Sequence, residues 1–344
     1  MEFLPYTIKW LEVILRWGHV VFAILWVGNS FLFNYLDNNL NKNITSNDVD
    51  GEGYLMHSGF FYKLSRLKTS PPQDYLNRLV IFKWQSYLTF VTGMLLLVVI
   101  YYYNAGVLMV DKRVLLMPPS YAIIISLLSF IVAWFIYDLL CKSKLIENNI
   151  LFISLGIILL AVVSFGLTKL FGPKFAILSV GLIIGTNMFG NVFTVIIPNQ
   201  MNIISSSKRG EKFDMSLSLA AKQRSIHNNY FTLPVLFIMI SSHFSFTYGA
   251  VNNWLILAVI SIAGILTRHY FNLRNKKQYK FWILPSAGLI MFFLMTLSSL
   301  SIFEKKGIEW LRNEIKKIDQ SFYKKVDLNN HQRMIRALEV YEIS

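Results

Sequence analysis

A run of polar side chains stands directly before an apolar segment in the second half of the chain. Residues 222–229 read KQRSIHNN and combine two cations, an imidazole and three amides. The apolar run that follows, Tyr230 to Ile240, is interrupted only by Thr232 and Pro234. Polar side chains at membrane depth are costly unless they have partners. The pattern therefore indicates either a functional site or a basic collar with a helix cap at a membrane surface.

Two further sets of polar residues recur at helical spacing inside apolar segments. Such stripes face the interior of a helix bundle, where they serve a site or simply link neighbouring helices by hydrogen bonds. The members of the first stripe are Arg16, His19, Trp26, Ser30, Asn34 and Asp37, and those of the second are Asn187, Asn191, Thr194 and Pro198.

The composition assigns the chain to a broad class. Of its 344 residues 54% are hydrophobic and only 15% are charged, whereas a soluble domain carries about a quarter charged residues. The net charge of +14 is interpreted as membrane topology rather than nucleic-acid binding. Cys141 is the only cysteine, so an intrachain disulfide and a CxxCH site for covalent c-type haem are both excluded.

Apolar segments of about 17 to 25 residues predict an all-α polytopic membrane protein, a bundle of about eight transmembrane helices followed by a short helical soluble tail. The predicted helices cover residues 11–36, 80–103, 120–141, 150–169, 174–198, 230–247, 253–271 and 281–302. Two polar loops, 37–79 and 199–229, separate some of these segments. The tail, 304–344, contains no further spanning segment.

The loop charges predict the orientation. Loops after the first, third, fifth and seventh helices hold about eighteen Lys and Arg residues, against about six on the opposite side. These basic loops should be cytoplasmic, which places both termini on the periplasmic side.

Several stretches resemble the membrane domain of the bacterial cytochrome-c-linked urate oxidase (urate hydroxylase) family. The resemblance covers about residues 8–303, in the same order and with similar spacing. The stretches that carry it are LRWGHVVFAILWVGNSF, GYLMHSGFFY, FKWQSYLTFVTGMLLLVVIYY, NVFTVIIPNQ, AKQRSIHNNYFTLPVLFIMISSHF and TRHYFN. It implies that the domain oxidises urate to 5-hydroxyisourate, a step of purine catabolism. It also implies that electrons pass to a cytochrome c, which without a CxxCH motif here should be a separate protein.

Urate is a flat anion, so its binding requires a cation, amide groups for the ring edge and aromatic faces. The expected substrate-binding residues lie at the cytoplasmic ends of the predicted second and sixth helices. They are Gln223, Arg224, Asn228, Asn229, Trp84 and Gln85. His227 and His57 are the candidate catalytic histidines, although a loop histidine without a ligand would explain His57 equally well.

A two-electron oxidation also requires a redox centre. The sequence has neither a flavin fingerprint nor a thiolate cluster, which leaves haem b held by histidines on facing helices. His227 and His243 are sixteen residues apart, about 24 Å along a helix, and cannot ligate one iron. His19 and His243 both belong to the outer half and are the candidate axial pair, suited to a periplasmic acceptor. A histidine in a helix is, however, more often hydrogen-bonded than metal-bound.

The tail has a different resemblance. Residues 307–344, above all DLNNHQRMIRALEVYEIS, are similar to a short internal piece of tRNA dimethylallyltransferase, but the GxxxxGK[ST] nucleotide-binding loop is missing. The tail is therefore expected to be a fusion without catalytic activity. Two alternatives stay open for the membrane domain: a haem b protein that only relays electrons, and a carrier of purine-like anions. The absence of an obvious inverted repeat disfavours the carrier.

Overall fold

The computed structural model describes residues 3–43, 47–250 and 252–304, with a few separate positions between 312 and 334. The chain divides into two compact units, Met1–Ala287 and Gly288–Ser344. The helices are α1 (Phe3–Asn39), α2 (Gln73–Leu76), α3 (Trp84–Leu96), α4 (Ala105–Leu108), α5 (Pro119–Lys142), α6 (Asn149–Thr168), α7 (Pro173–Gly190), α8 (Ile197–Lys208), α9 (Met215–Ser241), α10 (Ser245–Tyr248), α11 (Asn253–Asn275) and α12 (Ile283–Glu304). A β-hairpin is formed by β1 (Val49–His57) and β2 (Phe60–Leu67).

Six helical stretches in the described residues are long and apolar enough to cross a membrane. They are Tyr6–Asn39, Trp84–Tyr102, Pro119–Lys142, Asn149–Thr168, Pro173–Lys208 and Asn253–Asn275. Most of the predicted segment 230–247 lies in α9, which ends at Ser241 and has 27 residues but a polar first half. The predicted segment 281–302 corresponds to α12, which has 22 residues and whose described side chains form the apolar stretch Ile283–Thr296. The all-helical prediction fits, and six of the eight predicted spans correspond to such stretches among the described residues.

Large apolar side chains cover the outward faces of these helices. Ile24, Phe135, Leu139 and Val162 are each at least 60% exposed. A water-soluble protein rarely leaves contiguous apolar surface of this kind open, whereas lipid-facing helices require it.

Consecutive long helices pack antiparallel. His19 of α1 contacts Thr89 and Thr92 of α3, while Phe33 lies against Phe82 just before α3. Likewise α9 meets α7 at Asn191 and again at Gly181, and it meets α11 at Asn272 and again at Gly264. The ends of α1, α5, α8 and α11 therefore lie near the beginnings of α3, α6 and α9. We call this the hairpin end, because β1 and β2 follow α1 there.

The β-hairpin was not predicted, since residues 37–79 read as a polar loop. Ser58 and Gly59 both have positive φ, the backbone that a two-residue hairpin turn requires. Arg66 of β2 forms ion pairs with Asp37 of α1 and with Asp50 of β1, which fixes the hairpin base to the end of α1. Gly51 and Gly53, which favour a loop, lie inside β1, and neither strand shows a regular alternation of buried and exposed side chains.

Local signals explain where several helices begin. Pro119 and Pro173 occupy the first helical position, where a missing N–H costs nothing. The Asn148 side chain caps α6, and Asp214 caps α9 by accepting from Ser216 N at 2.8 Å. Because of this cap, α9 starts fifteen residues before the predicted boundary at 230, and KQRSIHNN lies inside a helix rather than at its mouth.

A π turn at Asn191–Ile196 joins α7 to α8. It explains why the second polar stripe splits: Asn187 and Asn191 are buried, but Thr194 and Pro198 are exposed. The wider turn rotates the chain away from the 3.6-residue period on which that prediction rested. The first stripe also splits, because Arg16 is exposed and pairs with Glu12 on its own helix.

The apolar core is centred on α7, which is buried on most of its circumference. Phe175, Val180 and Ile183 of α7 pack with residues of α5, α9 and α11. Gly190 lies against the Trp134 ring so closely that a side chain there would collide with it. This contact sets the spacing of α5 and α7 beside Asn191.

The tail prediction falls mostly outside the described residues. Ile315 and Met334 are buried. The described tail positions, 312, 313, 315–317, 323 and 334, are helical.

Candidate functional site

Arg224 is the centre of a buried polar network between α5, α7 and α9. It is 3% exposed, and its Nη2 lies 2.6 Å from Asp138 Oδ1 on α5. Asp138 also pairs with Lys142, one turn further along α5, at 2.6 Å. The attraction between the two charges offsets part of the cost of taking each out of water, so Arg224 already has its counter-charge within the protein.

Amide groups complete this network. Arg224 Nη1 donates to Asn191 Oδ1 at 3.1 Å, and Asn191 Nδ2 donates to Tyr137 Oη at 2.9 Å and to Asn228 Oδ1 at 2.8 Å. Asn228 Nδ2 donates in turn to the Met188 carbonyl. These bonds leave Asn191 and Asn228 little capacity for a ligand.

The network orients His227. Tyr137 Oη accepts from Asn191 Nδ2 and lies 2.8 Å from His227 Nδ1, so the phenol and the imidazole share one hydrogen bond. The ring stacks on Phe152, with the two centroids 5.1 Å apart. A phenol in direct hydrogen bond with an imidazole can accept and pass on a proton. We call Tyr137, Asp138, Asn191, Arg224, His227 and Asn228 the Arg224 network.

A second polar cluster lies on another face of α9, against α1 and α11. Arg268 Nε donates to Asn229 Oδ1 at 2.8 Å, and Asn272 Nδ2 donates to the same atom at 3.0 Å. Asn229 Nδ2 reaches Ser30 Oγ at 3.2 Å, which links the cluster to α1. The Arg268 guanidinium lies 3.8 Å from the centre of the Phe31 ring. We call Ser30, Phe31, Asn229, Arg268 and Asn272 the Arg268 cluster.

Two groups in this cluster are buried without a hydrogen-bond partner, Arg268 Nη2 and Asn272 Oδ1. Three more such atoms occur in the described part of the chain, on Gln85, Asn187 and Ser261. Unsatisfied buried polar groups are rare in native proteins and call for an explanation. A charged donor and an amide acceptor in one cluster point to a polar ligand.

A cavity of about 440 Å³ opens where α1 and α11 finish at the hairpin end. Its lining combines amides with Asp37, Lys42, Lys276 and Lys277. Lys276 follows Asn272 by one helical turn, so this opening lies about one turn further along α11 than the Arg268 cluster.

The structure distributes the other predicted residues widely. Gln85 Oε1 is buried without a partner, whereas Trp84 is 60% exposed beneath Lys83, and Gln223 is partly exposed on α9. His57 is exposed at the hairpin turn. Glu52 of β1 pairs with the backbone of Asn41, and His57 lies about 16 Å further along the strand from this pair. The hairpin thus does not bring His57 to Arg224.

His19 is held in one orientation by its contacts with α3. Its Nδ1 lies 3.0 Å from the Thr89 carbonyl, which can only accept, so Nδ1 carries the proton and Nε2 keeps its lone pair. Gly93 gives the ring room, since a Cβ there would be 3.0 Å from His19 Cε1. An imidazole held in this way by its second nitrogen fits axial ligation of haem.

His243 lies two residues beyond the end of α9 and is exposed. The side chains of Ser30 in α1 and Asn229 in α9 are in contact. From this contact, His19 lies about 16 Å along α1 and His243 about 21 Å in the direction of α9, and the two helices are antiparallel. Both therefore belong to the end opposite the hairpin. Within the described residues no group of three or more His, Cys, Asp or Glu side chains could hold a metal ion.

Sequence reasoning missed Tyr137, Asp138, Arg268 and Asn272. A carboxylate in the apolar run of α5 was a signal that could have been used, because such a group requires a cationic partner. Arg268 and Asn272 are four residues apart within TRHYFN, which places them on one face of a helix.

Long apolar helices with lipid-type surfaces and internal polar networks are compatible with, and typical of, polytopic membrane proteins. The sequence profile of the urate oxidase N-terminal family matches residues 5–299, so the chain belongs to that family. The IPP transferase family matches residues 296–344. Both predicted resemblances are thereby confirmed. Searches of curated proteins and of solved structures gave no match.

Proposed function

We propose that this domain oxidises urate to 5-hydroxyisourate and passes the electrons to a cytochrome c. The family match over residues 5–299 is the observation that carries the proposal. The urate monoanion and water give neutral 5-hydroxyisourate, one proton and two electrons. The protein must therefore bind a planar anion, accept a proton and provide an exit for electrons.

The Arg224 network supports the second requirement. His227 and Tyr137 share a hydrogen bond of 2.8 Å inside the packed helices, and Asn191 holds the phenol in place by donating to it. We assign the proton released by the reaction to this pair. Arg224 holds the pair through Asn191 and lies 5.4 Å from the Tyr137 ring, so in this proposal it is a positioning residue.

Electron exit is assigned to the end opposite the hairpin. When bound, haem b supplies the one-electron chemistry that connects a two-electron donor with a cytochrome c. His19 would hold it through Nε2, and His243 is the second candidate ligand at that end. In this proposal the protein lies in the bacterial inner membrane with the basic hairpin end in the cytoplasm and both termini in the periplasm. The tail contributes no transferase chemistry.

The proposal is tested in membranes that contain the full chain, with urate and added cytochrome c. Loss of urate should match reduction of cytochrome c, one urate for two cytochromes. Membranes with an equal amount of the Tyr137→Phe, His227→Ala double variant should react much more slowly, while Arg274→Gln, an exposed position, should match the wild type. Urate uptake without oxidation would favour the carrier, and a haem spectrum that urate does not reduce would favour the relay.

A further inference from the structure

The two buried arginines differ in how their charge is compensated. Arg224 has Asp138, whereas Arg268, only 6% exposed, forms no ion pair with any described residue. A guanidinium buried away from water without a counter-charge is costly, and inside a membrane domain the cost is higher still. The Phe31 ring offsets part of this cost through its π face. Arg268 still needs an anion.

The hydrogen bonds around Arg268 define what such an anion must offer. Arg268 Nε and Asn272 Nδ2 both donate to Asn229 Oδ1, so this one atom aligns the two side chains. The remaining Arg268 Nη2 is a charged donor, and the remaining Asn272 Oδ1 is an acceptor. A ligand that satisfies both must present a hydrogen-bond acceptor to Arg268 and a hydrogen-bond donor to Asn272.

The geometry points to the Arg268 cluster as the binding site for the lactam edge of an oxidised purine anion. The ligand oxygen accepts from Arg268 Nη2, and the adjacent ring N–H donates to Asn272 Oδ1. This inference rests on the proposed function for the identity of the purine as urate, and it assigns recognition to Arg268 in place of Arg224.

The cavity beyond the cluster provides an approach. Its three lysines, Lys42, Lys276 and Lys277, give the opening a positive field that concentrates anions, and Asp37 is already paired with Arg66 and Lys222. Lys276 is about 12 Å along α11 from Arg268. A urate entering at the hairpin end would pass these lysines before it meets the buried guanidinium.

Equilibrium binding of radiolabelled urate to the purified full chain, without an electron acceptor, tests the assignment apart from turnover. Arg268→Gln should weaken binding about ten- to a hundredfold, the effect of losing one charge-assisted hydrogen bond. Arg268→Lys keeps the charge but lacks the guanidinium, so its affinity for urate should lie between those of the wild type and Arg268→Gln. Arg274→Gln removes an exposed arginine from the same helix and should bind like the wild type.

A ligand-side test covers the case in which Arg268→Gln fails to fold. Urates with a single N-methyl group should include one that binds the wild type at least tenfold more weakly, because its edge has lost the donor for Asn272. Asn272→Leu should abolish that discrimination. Equal urate binding by wild type and Arg268→Gln, or unchanged discrimination in Asn272→Leu, would overturn the assignment and leave the proposed function intact. A wild-type chain that neither binds nor oxidises urate would overturn the proposed function itself.

Discussion

Two arginines on neighbouring helices, Arg224 in α9 and Arg268 in α11, are buried to nearly the same degree but in opposite electrostatic settings. Arg224 has a carboxylate at 2.6 Å and an amide at 3.1 Å, so its polar groups are occupied from within the protein. Arg268 stacks on Phe31, shares Asn229 with Asn272 and keeps Nη2 without a partner. The first arrangement is that of a structural ion pair, and the second is that of an incomplete site.

The comparison shows that burial of a cation does not by itself indicate recognition. What distinguishes the two arginines is the presence of a counter-charge, and this depends on a residue of another helix. It also separates two properties that mutations can measure independently, the stability of the packed helices and the affinity for a planar anion.

The largest effect on stability is expected for Asp138→Asn. It leaves Arg224 charged and buried without its partner, which costs about 3 to 5 kcal/mol. Thermal unfolding of the purified protein in detergent measures the change. The double variant Asp138→Asn, Arg224→Gln should recover much of the loss, and Glu211→Gln, in an exposed pair with Arg209, should change little. An unfolding temperature equal to that of the wild type would contradict the ion-pair role.

Arg224→Lys sharpens the comparison on the side of activity. Lysine keeps the charge but cannot reach Asp138 and Asn191 together, so one charge-assisted hydrogen bond, worth about 1.5 to 3 kcal/mol, should be lost. Expressed in the transition state, this loss lowers kcat/KM for urate about ten- to a hundredfold. Urate-dependent reduction of cytochrome c is measured in membranes with matched protein levels. A positioning role requires the rate and the unfolding temperature to fall together, and a lower rate alone would return Arg224 to direct recognition. Equal rates would leave it as a topology anchor.

Tyr137→Phe has an intermediate expected effect. It removes the hydroxyl that bridges Asn191 and His227, and the lost hydrogen bonds should lower the free energy of unfolding by about 1 to 3 kcal/mol. His227 Nδ1 is then without its donor, so the pH profile of urate oxidation should also shift. If neither the unfolding temperature nor the pH profile changes, the phenol has no part in holding His227.

The smallest effect on stability is expected for Arg268→Gln. No carboxylate loses its partner, and removal of an uncompensated buried charge offsets the lost bond to Asn229, so the net change should stay within about 1 kcal/mol. The same thermal assay in the absence of urate gives the answer. Destabilisation as large as that of Asp138→Asn would mean that Arg268 is structural, and the contrast between the two arginines would disappear.

Much of the helix pattern could be predicted because apolar length is a direct signal. The boundaries of α5, α6 and α11 lie close to the predicted ones, since Pro119, Asn148 and Asn253 mark them in the sequence. The start of α9 was missed because its polar residues find partners on other helices, such as Asp138 for Arg224. Propensity and hydropathy contain no information about such tertiary partners.

The candidate site was predictable only in part. The run KQRSIHNN predicted Arg224, His227, Asn228 and Asn229 as site residues. The first three belong to the Arg224 network and Asn229 belongs to the Arg268 cluster. Their division between two faces of the helix follows from the helix rotation, but the role of Arg268 depends on the absence of a carboxylate nearby among the described residues. A sequence contains no direct record of that absence.

The π turn at Asn191–Ile196 also has a consequence for the gene. A π turn holds one residue more than an α-helical turn, so deletion of a single codon within it should relax the segment to an ordinary α-helix. The faces of α7 and α8 on either side would keep their neighbours. Deletion of Leu182, inside α7, would instead rotate everything beyond it by about 100°. We expect a chain lacking Val195 to be produced and folded far better than one lacking Leu182, and expression with thermal unfolding of the two would decide the point.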